Sequence, residues 1–221
     1  MKNKILVAFA ASLVLLNVTA VHADNALAMQ NGFYVGVDAG AANLMNKESH
    51  SGNPESHQLG AFGPVAGVYA GYDYGMTCQY RIAVEAFLDE TWSQMQIEHA
   101  GNSYKMNQLY HFGARLLPEY VFTSTTFGHI ILGYTNGRFN VKDNGVYGFI
   151  NSSYNTNGFQ TGIGFDTVLI NNFFIRLDGL YDMYSSNTQY GTGLNGTGSA
   201  QAYTNRFSQL AGELSIYYKF S

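Results

Sequence analysis

Charge is what this chain has least of. Asp, Glu, Lys and Arg together make up 12% of its 221 residues, about half the usual share of a soluble domain. There is one cysteine, Cys78, which excludes an intramolecular disulfide framework and any cysteine-based zinc site. Proline occurs three times. The net charge of −4 at pH 7 leaves no basic footprint for nucleic acid. No run of 18 apolar residues follows the first segment, which excludes membrane helices from the rest of the chain. What is present in excess is aromatic and small: 17 Tyr, 15 Phe and 25 Gly. That richness in aromatics excludes a disordered chain. A surface with so little charge is suited to a solvent other than water.

Residues 1–23 read as a secretory signal peptide, removed from a mature chain of 24–221. Lys2 and Lys4 supply the positive start, Ile5 to Leu16 the apolar run, and Val21-His22-Ala23 the small residues before a cleavage point at Asp24. The run is shorter than the roughly 20 residues that a spanning helix needs. Without Lys2 and Lys4, nine basic face 15 acidic side chains.

The remainder alternates. A period of two marks strands with two different faces, and eight such stretches are predicted near Gly32–Ala42, Gly63–Tyr74, Gln79–Glu90, Tyr104–Pro118, Thr126–Asn136, Asn157–Val168, Phe173–Tyr184 and Phe207–Phe220. The third is the clearest: Tyr80, Ile82, Val84, Ala86 and Leu88 alternate with Arg81, Ala83, Glu85, Phe87 and Asp89. Connections near Gly75–Cys78, Glu119–Thr125 and Leu169–Asn172 are short. Those near Asn43–Phe62, Thr91–Ser103, Gly137–Thr156 and Ser185–Arg206 are long and rich in Asn, Ser, Gly and Thr. Short turns at one end and long loops at the other describe an all-β, eight-stranded, antiparallel, up-and-down transmembrane β-barrel.

A soluble lipocalin-like barrel would turn its polar face to water. Here Asp38, Arg81, Glu85, His111, Arg115, Asp166, Arg176, Asp178 and Glu213 share a face with Gly36, Gly40, Gly67, Gly71, Gly113, Gly162 and Gly164. Small residues among the charges suit a narrow interior, and Tyr and Phe near the ends of the other face suit an interfacial girdle. The expected interior places Arg81, Arg115 and Arg176 in a basic layer under Asp38, Glu85, Asp178 and Glu213. Arg81, Arg115 and Arg176 are expected to pair with Glu85, Asp178 and Glu213.

Two stretches carry a resemblance. Gly162-Ile163-Gly164-Phe165-Asp166 followed by Asn171-Asn172-Phe173-Phe174-Ile175-Arg176-Leu177-Asp178, and the ending Leu214-Ser215-Ile216-Tyr217-Tyr218-Lys219-Phe220, resemble the outer-membrane β-barrel superfamily that includes outer-membrane proteins A and X and the opacity proteins. The resemblance covers essentially all of 24–221. It implies export to the bacterial outer membrane, contact with its lipid and lipopolysaccharide, and insertion by the barrel assembly machinery through Tyr218 and Phe220. In that family the aromatic is usually terminal, whereas Ser221 follows Phe220 here.

Catalytic and metal constellations are thin. His50, His57 and His99 are expected in loops, and His111 and His129 on the interior face. The lipid A deacylases of this fold carry a His two positions before a Ser; the nearest look-alike, Tyr184-Ser185-Ser186-Asn187, has Tyr at that place. His50 and His57 with Glu48 and Glu55 match no strong metal motif. No catalytic residue, cofactor or metal is therefore expected. The expected function is a non-enzymatic barrel presenting four surface loops to a host or envelope ligand, with a narrow ion or water pore as the alternative and a lipid A-modifying enzyme behind it.

The loop assignment can be checked on intact cells. Cysteines placed at Ser51, Gly101, Asn151 or Asn195 should label with an impermeant thiol reagent. Native Cys78 should label only after the outer membrane is opened; the opposite pattern would invert the topology.

Overall fold

The computed structural model describes residues 31–50, 53–99, 102–145, 148–191 and 201–220. The leader assigned to residues 1–23 lies outside them. Ten strands follow in chain order: β1 (Gly32–His50), β2 (Asn53–Gly75), β3 (Tyr80–Thr91), β4 (Gln94–His99), β5 (Asn102–Val121), β6 (Thr126–Gly145), β7 (Gly148–Ile170), β8 (Phe173–Tyr184), β9 (Asn187–Gly191) and β10 (Gln201–Lys219). All pairings are antiparallel, and β1 pairs with β10, which closes the sheet on itself. β4 continues β3 after a break at Trp92-Ser93, and β9 continues β8 after a break at Ser185-Ser186. Eight crossing segments therefore form the ring.

Three tight turns join strands at one end. At Asn171-Asn172, Asn171 has φ 49°, a left-handed conformation that Asn tolerates and a two-residue hairpin needs. The other two turns use a threonine hydroxyl as acceptor. Thr77 Oγ1 takes the Gln79 and Tyr80 amides at 3.2 and 3.0 Å, and Thr123 Oγ1 takes those of Thr125 and Thr126 at 3.3 and 3.0 Å.

The alternation lands as the sequence reading has it. Phe33, Val35, Val37, Val68, Val84, Leu88, Ile130, Ile163, Leu214 and Ile216 face outward and are exposed, while Asp38, Glu85, Arg115, Arg176 and Glu213 are buried inside. Large interior side chains sit across from glycine. Gly67 separates Asp38 from Asp89, Gly40 faces Glu213, Gly71 faces Glu85, and Gly133 faces Arg115. A Cβ on Gly36 would strike the Tyr69 ring, and one on Gly71 the Tyr34 ring. An eight-stranded ring is only wide enough to be filled by side chains, and alternating large with small residues is how it is filled.

The long connections are largely strand, which corrects their assignment as loops. β1 reaches His50, β2 begins at Asn53, β5 begins at Asn102 and β7 at Gly148, so His50, His57, His99 and Asn151 lie on strand backbone. The Asn, Ser and Thr richness there reports a wet outer face and not an end of pairing. The inward residues Leu44, Met106, Phe139, Val141 and Phe207 remain apolar and buried. Glu119, assigned to a turn, is also a buried strand residue.

Towards the loop end the wall divides. The β2–β3 ladder stops at Val65–Thr91 and the β7–β8 ladder at Gly158–Tyr184. Beyond those points β9, β10, β1 and β2 form one four-stranded sheet, and β4, β5, β6 and β7 form another. Their inner faces meet in a second apolar core, separate from that of the ring, made of Leu44, Ala61 and Phe207 from the first sheet and Met95, Met106, Phe139 and Val141 from the second, with Tyr184 at its base.

Ile163 is 63% exposed, among the outward apolar side chains. Ile163→Arg should destabilise the barrel in vesicles by about 2–4 kcal/mol if it lies near the bilayer midplane. Gln94→Arg, on the outward face of β4 beyond the apolar belt, should change little. Equal effects in urea titrations would show that the outer face is not read by lipid.

Candidate functional site: a charged interior under an apolar cap

Nearest the tight turns, Arg81 holds Asp73 through Nε (3.0 Å) and Nη2 (2.6 Å), stands 3.6 Å from Glu119, and shares Asp73 with the ammonium of Lys219. Glu119 lies directly opposite Arg81 on β5, and Asp73 is a diagonal neighbour on β2. Arg81 was expected to hold one of Glu85, Asp178 and Glu213; it holds Asp73 and Glu119 in their place, while Arg115 and Arg176 do reach Glu85. Glu85 is four residues beyond Arg81 along the same strand, about 13 Å away.

At the next level Arg176 donates from Nε to Asp166 at 2.8 Å and from Nη1 to Glu85 at 2.7 Å. Its guanidinium carbon lies 5.0, 5.1 and 5.7 Å from the ring centres of Tyr217, Tyr69 and Tyr34, within the range of cation–π attraction. The Tyr34 hydroxyl donates to Glu85 at 3.1 Å. Arg176 thus fills a box of three tyrosines closed by two carboxylates, a use that the planar guanidinium suits and an ammonium would not. Beside it, His129 stands between Asp166, 2.7 Å from Nδ1, and Asp178, 2.9 Å from Nε2.

Above these, Arg115 lies 3.9 Å over the Phe87 ring and 3.6 and 3.5 Å from Glu85 and Asp89. His111 Nε2 is 3.1 Å from Asp89, and Gln160 donates to Asp182 at 2.9 Å. Asp178 and Glu213 are directly opposed on β8 and β10, so Glu213 meets a carboxylate where an arginine was expected. One carboxylate oxygen each of Asp38 and Glu213 is buried without a hydrogen-bond partner. The cations and anions are therefore mixed at every level, which replaces the expected basic layer under an acidic one. Strand tilt and register, and not height along each strand, decide who meets whom.

Over the charges sits the second core. Phe139 and Phe207 stack with centres 4.2 Å apart and planes 4° from parallel, and Tyr184 meets Phe139 edge-on at 4.9 Å. Gln108 donates to the Tyr184 hydroxyl at 3.1 Å. Asn46 bridges the two sheets, donating to Asn205 at 2.7 Å on its own side and to the Tyr104 hydroxyl at 3.1 Å on the other. The interior is thus filled from the turns to this cap. An inside-out, filled, closed ring is an arrangement that lipid on the outside demands.

A family model described as outer membrane protein beta-barrel domain matches residues 8–211. The chain belongs to that family. Its place is accordingly the bacterial outer membrane.

Several solved barrels are similar to this family member. Neisserial surface protein A is 19% identical with a TM-score of 0.45, covering 86% of this chain and 99% of its own. OprG from Pseudomonas aeruginosa is 13% identical with a TM-score of 0.47, covering 86% and 96%. Ail, the attachment invasion locus protein of Yersinia pestis, is 12% identical with a TM-score of 0.37, covering 82% and 98%. A comparison with curated proteins gives no match.

All nine residues singled out for the interior lie inside the ring and are buried. The other buried charged residues are Glu48, Asp73, Asp89, Glu119, Asp182 and Lys219, and His129, expected on the interior face, is buried too. All are in phase with the inward face, but Glu48 and Glu119 were assigned to connections. Glu119 was hidden by the neighbouring Pro118, which reads as a turn residue but faces outward. Lacking an N–H, Pro118 leaves a gap in the β5–β6 ladder without shifting its register. Tyr218 is half-buried on the outer face beside Phe173, with ring centres 5.0 Å apart, and Phe220 is exposed. Tyr184, the residue at the deacylase-like position, points into the cap. Cys78 is a free, exposed thiol. The side chains of His50, Glu55 and His57, weighed as a metal site, are outside those described, and no metal-binding cluster occurs among the described residues.

Glu85 accepts from Tyr34 and Arg176 and also faces Arg115. Removing one partner of a buried pair costs on the order of 3–5 kcal/mol. Glu85→Ala should lower unfolding stability on that scale, and Glu85→Gln, which keeps an acceptor, should lose less. An unchanged midpoint for Glu85→Ala would mean that water already solvates these arginines.

Proposed function

We propose that the protein is a non-conducting, non-enzymatic outer-membrane anchor whose loop-end sheets present a binding surface to the exterior. The observation that carries this reading is the cap. Phe139, Phe207, Leu44 and Met106 are fully buried between the two sheets, directly over an interior whose arginines are held by carboxylates. A solute path would have to cross both. The two histidines of the interior are buried against acidic partners, away from any lipid or peptide substrate. The strands of the loop end carry Asn, Ser and Thr side chains outward, as Ser153 to Asn140 and Arg138 to Asn155 illustrate. Such a folded polar platform is suited to contact with a host or envelope ligand, since function concentrates on surfaces set on a rigid scaffold. Tyr218 and Phe220 serve insertion by the assembly machinery in the same reading.

The pore alternative is separated by current. Wild-type protein in planar bilayers should show no steady conductance, and Phe139→Ala combined with Phe207→Ala should produce flickering openings. Steady current through the wild type would replace the anchor with a pore. Lipid A of unchanged mass with and without the protein is expected; a mass shift would make it an enzyme.

A further inference from the structure

Between the Arg81 level and the aromatic cap, the charges of the interior do not balance. Arg115, Arg176, His111 and His129 are the buried cations there among the described residues, and they share the space with seven buried carboxylates. Even with both imidazoles protonated, four cations leave negative charge in excess by three. The turn-end group does not add to this excess, because Arg81 and Lys219 there offset Asp73 and Glu119. The surplus gathers beside the closing seam. Asp178 and Glu213 are directly opposed on β8 and β10. Asp38 is a diagonal neighbour of Glu213 across the seam, since Asp38 faces Ser215 and Glu213 faces Gly40. Asp89 leans over Gly67, where a Cβ would strike its carboxylate, and Gly67 is the residue opposite Asp38 on β2. Like charges placed so close destabilise a sheet unless something neutralises them.

Direct pairing does not reach these groups. Asp38 Oδ1, Asp89 Oδ1 and Glu213 Oε1 are buried without a hydrogen-bond partner, and so is the Thr91 hydroxyl. Donors are left over as well as acceptors. Arg115 Nε is buried without an acceptor. Gln209, fully buried on β10 and opposite Asp182, has a partner for neither amide atom and faces the same space from the cap side. Between Gln209 and Asp38 the inward positions of the seam are Gly40, Ala42 and Ala211, which take up little of it. A proton on one carboxylate would leave the Gln209 amide and Arg115 Nε as they are. Water satisfies both kinds, accepting from N–H and donating to oxygen. A hydrated cation brings water and positive charge together.

We propose that the interior beside the β1–β10 seam holds a hard divalent cation, of the magnesium or calcium class, with part of its water shell. The free acceptors are oxygens throughout, from carboxylates, the Gln209 amide and the Thr91 hydroxyl, and such a set selects hard cations. No group of three acidic or imidazole side chains among the described residues is placed to ligate an ion directly. Water therefore stands between the ion and most of the carboxylates, an arrangement that suits magnesium, which dehydrates reluctantly. Two positive charges remove most of the excess. Bound there, the ion joins carboxylates of β1, β3, β8 and β10, so it fastens the first strand to the last from inside. The site is enclosed by the wall and does not depend on what the exterior surface binds.

Unfolding in urea tests it, with the full-length protein refolded into phosphatidylcholine vesicles, whose headgroups carry no net charge. Refolding and titration are done at constant ionic strength, either in EDTA or in micromolar to millimolar magnesium or calcium. An ion that binds only the folded barrel should raise the unfolding midpoint as it is added, and about one ion per chain should remain by elemental analysis after free metal is removed. Asp38→Asn combined with Glu213→Gln keeps the side-chain shapes and removes two charges. That variant should lose about tenfold or more in apparent ion affinity, because affinity follows the charge of the ligand set. In EDTA it should be at least as stable as the wild type. Asp38→Asn alone should show the same change at smaller amplitude. Glu90→Gln, on the outer face of β3, should respond to the ions as the wild type does. A wild-type midpoint indifferent to both ions overturns the proposal. An equal response of the double variant overturns it too, since the ions would then act on the outer surface. A midpoint in EDTA that rises as the pH falls below neutral, with no dependence on either ion, would show that protons on the seven carboxylates carry the balance in place of a metal.

Discussion

Every backbone N–H and C=O at membrane depth must find its partner within the protein, because hydrocarbon offers none. The ladder between β1 and β10, running from Tyr34–Lys219 to His50–Tyr203, is where that demand is finally met. Once the ring is closed there is no edge below the point where the wall divides. The two faces then follow. Lipid takes the apolar face, and eight strands leave an interior too narrow for bulk water, so whatever points inward must satisfy itself. The glycines opposite Asp38, Glu85, Arg115 and Glu213 are a consequence of that width.

The interior charges are best understood as packing with directional partners. Ten buried carboxylates occupy the chain's inward face against three arginines, one lysine and two histidines, so pairing alone cannot neutralise them all. Arg176 is used most fully, with two carboxylates and three tyrosine rings around it. Asp38 and Glu213 are used least. Burying charges is costly, so losing one partner of such a pair destabilises far more than the intact pair adds to stability. The cap of Phe139, Phe207 and Tyr184 then separates this arrangement from the exterior without any charge at all.

Much of this was legible in the residues. Alternation assigns the two faces of every crossing segment because the period of two is insensitive to which strands pair. Partner choice was not legible. Arg81 meets Asp73 and Glu119, and not Glu85, because register across strands is set by turns and tilt that a single strand does not reveal. The loop boundaries failed for a different reason. Composition changes where the solvent changes, and the outward residues turn polar above the lipid while Leu44, Met106 and Phe139 keep the strand rhythm inside. Reading the inward positions alone would have carried β1 on to Leu44 and β6 on to Val141.

The ring closure also bears on how the chain must assemble. Tyr34 and Lys219 stand at opposite ends of the described chain, and closing so large a loop is slow, because its entropy must be surrendered before any contact across the seam can form. Every hairpin from β1 to β8 joins near neighbours in the chain. Only the final seam waits for the C-terminus. Until β10 arrives, β1 presents a long unpaired edge of Val35, Val37 and their neighbours, a template for pairing with another chain. A product cut short before Phe207 would therefore carry that edge permanently. The last strand thus acts as a timing device: it decides when the molecule ceases to be sticky.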